Sequence, residues 1–307
     1  MTAGVRRAAI DGTEALAFST GGGLDFAVLI DRSLDIGPLT WRGDAVGWVG
    51  PSGFRRPMGH DPLADGGRGF NRLFSGFLVT GGLEHIRQPA GGRPLHGSLP
   101  FTPATLTASG IDKERRLLFC EGEVRQPGFC LRRRIEAPID GCSLAVVDRV
   151  ENLSSMPQRQ ASLYHFNIGR PALAGGTLVH QGKRRRLGPL KVPDAALASV
   201  SYPVGEGGAE CTVVTPKVAI RFAWDGAALP YLQLWGDLSP DKGVLSVEPC
   251  TSERLEGGLS GEESVLGAGK VRRYTLQVAL GDAAEPLSAE RAGSVTFLSQ
   301  STPERPR

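Results

Sequence analysis

Alternation with a period of two, interrupted by glycine-rich turns, recurs along the chain and most constrains what it can fold into. Leu24, Phe26, Val28 and Ile30 share one face of residues 24–31. Residues 129–136 set Phe129, Leu131, Arg133 and Ile135 against Cys130, Arg132, Arg134 and Glu136. Val218, Ile220, Phe222 and Trp224 repeat the pattern, as do Tyr274, Leu276, Val278 and Leu280. Turn signals separate such runs: Gly21-Gly22-Gly23, Gly91-Gly92, Asp140-Gly141, Gly175-Gly176 and Gly257-Gly258. Short strands with turns between them predict an all-β protein, a large antiparallel β-sandwich. The 42 glycines and 22 prolines fit that class, since helix interiors tolerate neither residue well. Residues 283–292 are expected to form a short helix and 191–199 another turn or two. With no domain linker in 307 residues, one domain is expected over 1–300, followed by a frayed polar tail, 301–307.

Charge and cysteine usage exclude several classes. The net charge is +3, and the two basic runs, Arg132-Arg133-Arg134 and Lys183-Arg184-Arg185-Arg186, lack any accompanying nucleic-acid-binding motif. They read as solvated faces or contacts to an anionic group of a small ligand, so no nucleic acid is expected as a partner. Five cysteines without CxxC spacing point away from zinc and redox motifs. Met1 to Gly12 carries charges but no apolar segment, and no run approaches 18 apolar residues. A cytoplasmic protein without a membrane partner is the expectation, and association as a homodimer is compatible with the sequence. No glycine-rich loop joins a strand to a long amphipathic helix, so Rossmann and P-loop cofactor sites are not expected.

Candidate chemistry centres on a few residues. In Leu163-Tyr164-His165-Phe166-Asn167-Ile168-Gly169, a strand puts Tyr164, Phe166 and Ile168 on a face that suits a core. His165 and Asn167 share the other face, where an imidazole beside an amide suits a polar pocket; a satisfied core histidine is the alternative. Glu248 is a lone acid in the apolar run Val244-Leu245-Ser246-Val247-Glu248-Pro249, so burial is expected to raise its pKa. His96 precedes Gly97, which is expected to allow close approach of a ligand. His85 and Arg72 are weaker candidates. Tyr231, Gln233, Trp235 and Asp237 alternate on one strand face, a mixture that suits a sugar's apolar C–H faces and hydroxyl edges and equally suits an ordinary core tryptophan and edge glutamine.

The order Asn71-Arg72, Leu95-His96-Gly97, Tyr164-His165-Phe166-Asn167 and Val247-Glu248-Pro249 resembles the aldose 1-epimerase (galactose mutarotase-like) superfamily, in particular its less-characterised aldose 1-epimerase-like branch. Asp31 to Gly37, Gly76 to Leu83 and Leu163 to Pro171 are similar to that branch, and the likeness extends over about residues 20–280. Phe166 stands where mutarotases proper usually carry proline.

The resemblance implies the superfamily's β-sandwich and a sugar pocket. It implies His165 as general acid on the ring oxygen and Glu248 as general base on the anomeric hydroxyl. On this reading His165 is protonated, Glu248 is ionised, and a sugar ring's width separates them across one cleft. Arg72, His85, His96, Asn167, Gln233 and Trp235 are the expected substrate-binding residues, with Asp237 a further candidate for a hydroxyl. The expected partner is a small-molecule sugar, with no cofactor and no metal. Two other classes stay open: a non-catalytic carbohydrate-binding protein on the same scaffold, and a metal-dependent sugar isomerase using His85, His96, His165 and Glu248. No HxH or HExxH spacing supports the second.

Overall fold

The computed structural model of the protein describes residues 2–283. The 301–307 tail and nearly all of the 283–292 helix expectation lie outside them. Two large antiparallel sheets face each other. The first runs in the order Gly4–Ile10, Thr13–Ser19, Leu24–Leu29, Asp35–Trp41, Leu78–Leu83, Ala161–Gly169, Val244–Cys250, Tyr231–Asp237 and Ala196–Pro203. The second runs Arg184–Leu187, Leu178–Gln181, Glu210–Val214, Val218–Trp224, Val271–Asp282, Ser143–Asn152, Phe129–Pro138, Leu117–Gln126 and Thr105–Asp112. The architecture is the expected all-β antiparallel sandwich. Helices among the described residues span only three or four residues each. Residues 196–199 belong to a strand rather than the expected helical turns. Alternating exposed and half-buried side chains and backbone pairing with Tyr231–Asp237 hold this segment as the edge strand of the first sheet.

Alternation on facing strands builds one continuous core. Phe26, Ile36, Tyr164, Phe166 and Ile168 from the first sheet meet Leu131, Ile135, Val146, Phe222 and Leu276 from the second, and all are buried. Each such side chain contributes roughly 1.5–3 kcal/mol on leaving water.

Arg133 corrects the reading of its basic run as a solvated face. Its own alternation places it with Phe129, Leu131 and Ile135, and its side chain is fully buried between the sheets. It grips Asp148 through two hydrogen bonds of 2.9 and 2.7 Å and reaches Asp35 at 3.1 Å and Thr80 Oγ1 at 2.9 Å. The Tyr164 hydroxyl donates to Asp148 at 2.7 Å. Both neighbours of Arg133 point outward and pair with carboxylates, Arg132 with Glu123 and Glu151, Arg134 with Glu121 and Glu136.

The outer face of the first sheet is partly covered by long connections. Residues 46–77 and 84–104 contribute short helical turns and loops, and 251–264 close over the far end. Between these segments and the sheet lies the cleft described next.

Candidate active site

Three neighbouring strands bring the central residues into one row. The register pairs Leu163 with Cys250 and Phe166 with Val247, which sets His165 opposite Glu248. On the next strand Gln233 pairs with Glu248. Because side chains alternate, a second row two residues along holds Asn167, Ser246 and Trp235 on the same face. The cleft above them has a volume of about 430 Å³.

His165 and Glu248 meet at the cleft floor, Nε2 to Oε1 being 3.5 Å. Asn167 fixes the imidazole. Its side-chain amide donates to the backbone carbonyls of Gly76 (2.9 Å) and His165 (3.1 Å), so Oδ1 must be the atom facing the ring. His165 Nδ1 therefore donates to Asn167 Oδ1 at 2.6 Å, and Ser246 Oγ donates to the same oxygen at 2.8 Å. Nε2 is left pointing at Glu248 with a free lone pair when the ring is neutral. Glu248 is held from its other side. Gln233 Nε2 donates to Oε2, Gln233 Oε1 accepts from Arg87, and Arg87 also donates to the Ser252 carbonyl at 2.7 Å. Glu248 Oε1 has no hydrogen-bond partner among the described residues.

Burial decides the charge state. It pushes the Glu248 carboxyl up to about 8, although Arg87, Gln233 and Arg254 all pull it down. It pushes the His165 imidazole down to about 3; the bond to Asn167 raises that value and the Arg87 charge lowers it further. The expected charged pair is thus replaced at neutral pH by a neutral imidazole and a neutral carboxylic acid. Since Oε2 accepts from Gln233, the carboxyl proton belongs on Oε1, facing His165. The two groups also lie in direct proximity rather than a sugar ring apart.

Aromatic rings wall the cleft. Trp235 is half-buried with its ring centroid 5.8 Å from that of His165, and Phe74 lies 4.8 Å from His165 and 5.9 Å from Trp235. His96 lines the wall 5.7 Å from His165, edge to face. Burial holds its pKa well below the usual range, with His165 and then Arg87 adding to the effect.

Arg87 and His96 both occupy the left-handed region, at φ 82° and 56°. They hold one another there. His96 N donates to the Arg87 carbonyl at 2.9 Å, and Arg87 N donates to His96 Nδ1 at 3.3 Å. Such a conformation is costly for residues with side chains, and here it turns both side chains into the cleft. Gly97 serves a purpose different from ligand approach: a Cβ there would lie 2.4 Å from the Gly82 carbonyl oxygen, so its absence lets the loop press against the sheet.

Four sequence candidates sit elsewhere. Arg72 does not line the cleft; it is exposed and forms a two-pronged pair with Asp65 at 2.7 Å for each contact. The short helical turns aim Arg68 at the cleft and Arg72 away from it. His85 is buried on another side, with Nε2 2.8 Å from the Gln88 carbonyl oxygen. Asn167 lies beneath His165 and orients it rather than lining the cleft. Asp237 is outside the lining and pairs with Lys242 at 2.9 Å. Gln233, His96 and Trp235 do line it. Among the described residues no three His, Cys, Asp or Glu side chains converge as a metal-binding group.

The sequence reading missed Arg87, Arg68, Arg254 and Phe74, all of which line the cleft. Loop signals around Gly91-Gly92 and Pro94 marked the Arg87 segment as irregular, but nothing in it singles out one arginine.

Solved structures share this architecture. A candidate aldose 1-epimerase from Klebsiella pneumoniae superposes with a TM-score of 0.77 at 18% identity, over 89% of this chain and 81% of that one. A galactose mutarotase-like protein from Clostridium acetobutylicum gives 0.64 at 14% identity, over 91% and 98%. The galactose 1-epimerase of Lactobacillus acidophilus gives 0.57 at 10% identity, over 92% and 99%. At these identities the likeness is one of fold. No curated protein sequence matches the chain. Residues 10–189, which include His96 and His165, match the family described as a domain of unknown function, DUF4432, and the chain belongs to that family.

Proposed function

We propose that the protein is an aldose 1-epimerase-like isomerase that interconverts the anomers of a sugar through His165 and Glu248. One observation carries this reading: an imidazole nitrogen and a carboxyl oxygen 3.5 Å apart at the floor of an aromatic-walled cleft, each oriented from behind. The ring oxygen and the anomeric hydroxyl of a cyclic aldose are bonded to the same carbon. An acid and a base side by side match those two atoms better than groups a ring's width apart.

The pair carries one exchangeable proton between its facing atoms. Moving it from Glu248 Oε1 to His165 Nε2 yields the imidazolium and carboxylate that the reaction uses. His165 then protonates the ring oxygen as Glu248 takes the anomeric hydroxyl proton, the bond from C1 to the ring oxygen breaks, and the open aldehyde forms. Rotation about C1–C2 and reversal of both proton transfers close the other anomer and restore the pair. Substrate hydroxyls donating to Glu248 Oε1, which lacks a hydrogen-bond partner among the described residues, favour the ionised arrangement. Trp235 and Phe74 supply apolar surface for the sugar's C–H faces.

Anomer-exchange NMR against free and derivatised sugars tests this. Glu248→Gln keeps the shape and removes the base, so turnover is expected to fall on the order of 100-fold or more while binding survives. His165→Asn is expected to act similarly. Folded variants that exchange the true substrate at the wild-type rate overturn the assignment. Binding without exchange by the wild type points to a carbohydrate-binding protein instead.

A further inference from the structure

The lining of the cleft carries more positive charge than an acid–base pair for a neutral sugar requires. Arg68, Arg87, Lys242 and Arg254 line it, and Glu248, the one carboxyl among the lining residues, is held largely protonated by burial. Lys242 is matched by Asp237 at 2.9 Å. Arg68, Arg87 and Arg254 have no carboxylate partner among the described residues. Arg87 is 2% exposed, and its Nε has no hydrogen-bond partner among the described residues. Arg87 is buried, Arg254 is half-buried and Arg68 is exposed, and three guanidinium groups on one cleft create a field that selects negative charge.

Two of the three converge on the rim. Arg68 Nη2 donates to Gln88 Oε1 at 3.5 Å, and Gln88 N donates to the Gly258 carbonyl at 3.2 Å. A Cβ on Gly258 would lie 3.0 Å from Arg254 Nη2 and 2.8 Å from Gln88 Cγ. Glycine at 258, with φ at 79°, thus leaves space beside the Arg254 guanidinium that any side chain would fill. Gln88 and Gly258 lie between two arginine side chains held only by long contacts, Arg68 Nη2 to Gln88 Oε1 and Arg254 Nη1 to the Leu255 carbonyl at 3.5 Å each, which an oxyanion bound in a fork can replace. Arg254 also acts on Glu248 electrostatically, so this rim is within range of the reacting pair.

We propose that the rim formed by Arg68, Gln88 and Arg254 binds an anionic substituent of the sugar, a phosphate or a carboxylate, so that the substrate is an acidic sugar. This rests on the sugar-isomerase reading and narrows its substrate class. Arg87, buried deeper, adds attraction for the same charge while it holds Gln233 against Glu248.

Titration calorimetry tests the site apart from catalysis. The probes are neutral hexoses of the gluco, galacto and manno series, their 6-phosphates and their uronates, with inorganic phosphate as the bare anion. At least one phosphate or uronate is expected to bind tenfold or more tighter than its neutral parent, with an advantage that shrinks as salt rises. Arg68→Gln combined with Arg254→Gln is expected to remove most of that advantage. Both side chains lie at the cleft rim, and an unchanged thermal melt confirms that the variant folds. A phosphate-only or uronate-only preference identifies the anion. If no anionic sugar outbinds its neutral parent, or the double variant keeps the preference, the anion site is wrong. Anomer exchange on the same panel separates the two readings. Exchange without anion preference sinks only this inference, and arginine-dependent binding without exchange sinks only the isomerase.

Discussion

His165 donates its Nδ1 hydrogen to Asn167 Oδ1 at 2.6 Å, and that bond turns Nε2 toward Glu248. Asn167 cannot rotate to offer its amide instead, because its two hydrogens are committed to the carbonyls of Gly76 and His165. The tautomer of the histidine is therefore written into the sheet two residues along the same strand. Everything the pair does with protons follows from this orientation and from burial.

The pair should show a wide pH plateau. Its working state and its neutral state contain the same number of protons, so activity depends on the pair holding one and only one proton. A second is added near pH 3, where the imidazole titrates, and the last is lost near pH 8, where the carboxyl titrates. The expected profile of kcat/KM is flat through neutrality and falls about tenfold per pH unit above roughly pH 8. A limb near pH 6.5 would mean that His165 titrates as an exposed histidine and that the burial argument fails.

Arg87 reaches both groups without facing substrate chemistry itself. Its charge lowers the pKa of His165, His96 and Glu248, and it anchors the glutamine that holds Glu248. Arg87→Met should move both limbs of the profile to higher pH. Turnover should also fall on the order of tenfold, since an unanchored carboxyl loses its orientation. Histidine Cε1–H titration by NMR reads the charge effect directly. Limbs that stay in place after the substitution would reduce Arg87 to a packing residue.

How much of this was legible in the sequence depends on whether a residue's surroundings are local. The alternation around His165 separated a core face from a polar face, because a strand's side chains must alternate. Glu248 stood out as a single acid in an apolar run. Their pairing was not legible from the residues alone, because the register between strands some eighty positions apart is set by the whole sheet. Arg87 was missed for a different reason: it sits in a loop, held in the left-handed region by His96, and no periodicity marks such a position. Arg72 stood out beside Asn71 while Arg68, four residues away, did not, and only the short helical turns decide which of them enters the cleft. Arg133 was within reach, since its own strand pattern already placed it among apolar neighbours.

Arg133 should be among the most sensitive positions for stability. Replacing it with methionine keeps much of the volume but leaves Asp148 buried without its cation and Asp35 with the charge of Arg32 alone. Breaking a buried pair by removing one partner typically costs about 3–5 kcal/mol. Urea unfolding of Arg133→Met should show a loss of that size, with the pH profile of any retained activity unchanged. A loss below about 1 kcal/mol would mean that water reaches the two carboxylates.

Glu248 should also make the protein less stable as pH rises, and the sign follows from its raised pKa. A carboxyl that titrates at about 8 when folded and at its ordinary 4.5 when unfolded binds its proton more tightly in the folded state. Its contribution is therefore fully retained below pH 4.5 and is lost progressively as pH climbs to about 8. Beyond that the folded protein carries a buried carboxylate and the loss levels off. The slope is about 1.4 kcal/mol per pH unit across the window. His165 works in the opposite direction: its folded value of about 3 lies below its ordinary 6.5, so its contribution is complete above pH 6.5 and is lost as pH falls toward 3. Glu248→Gln isolates the first effect, because the amide does not titrate and leaves Gln233 and Arg87 in place. The stability of the wild type relative to this variant should drop steadily between pH 4.5 and 8 in chemical denaturation series. A difference that stays constant over that range would show that Glu248 is already ionised at neutral pH, and the neutral pair at the floor of the cleft would have to be abandoned.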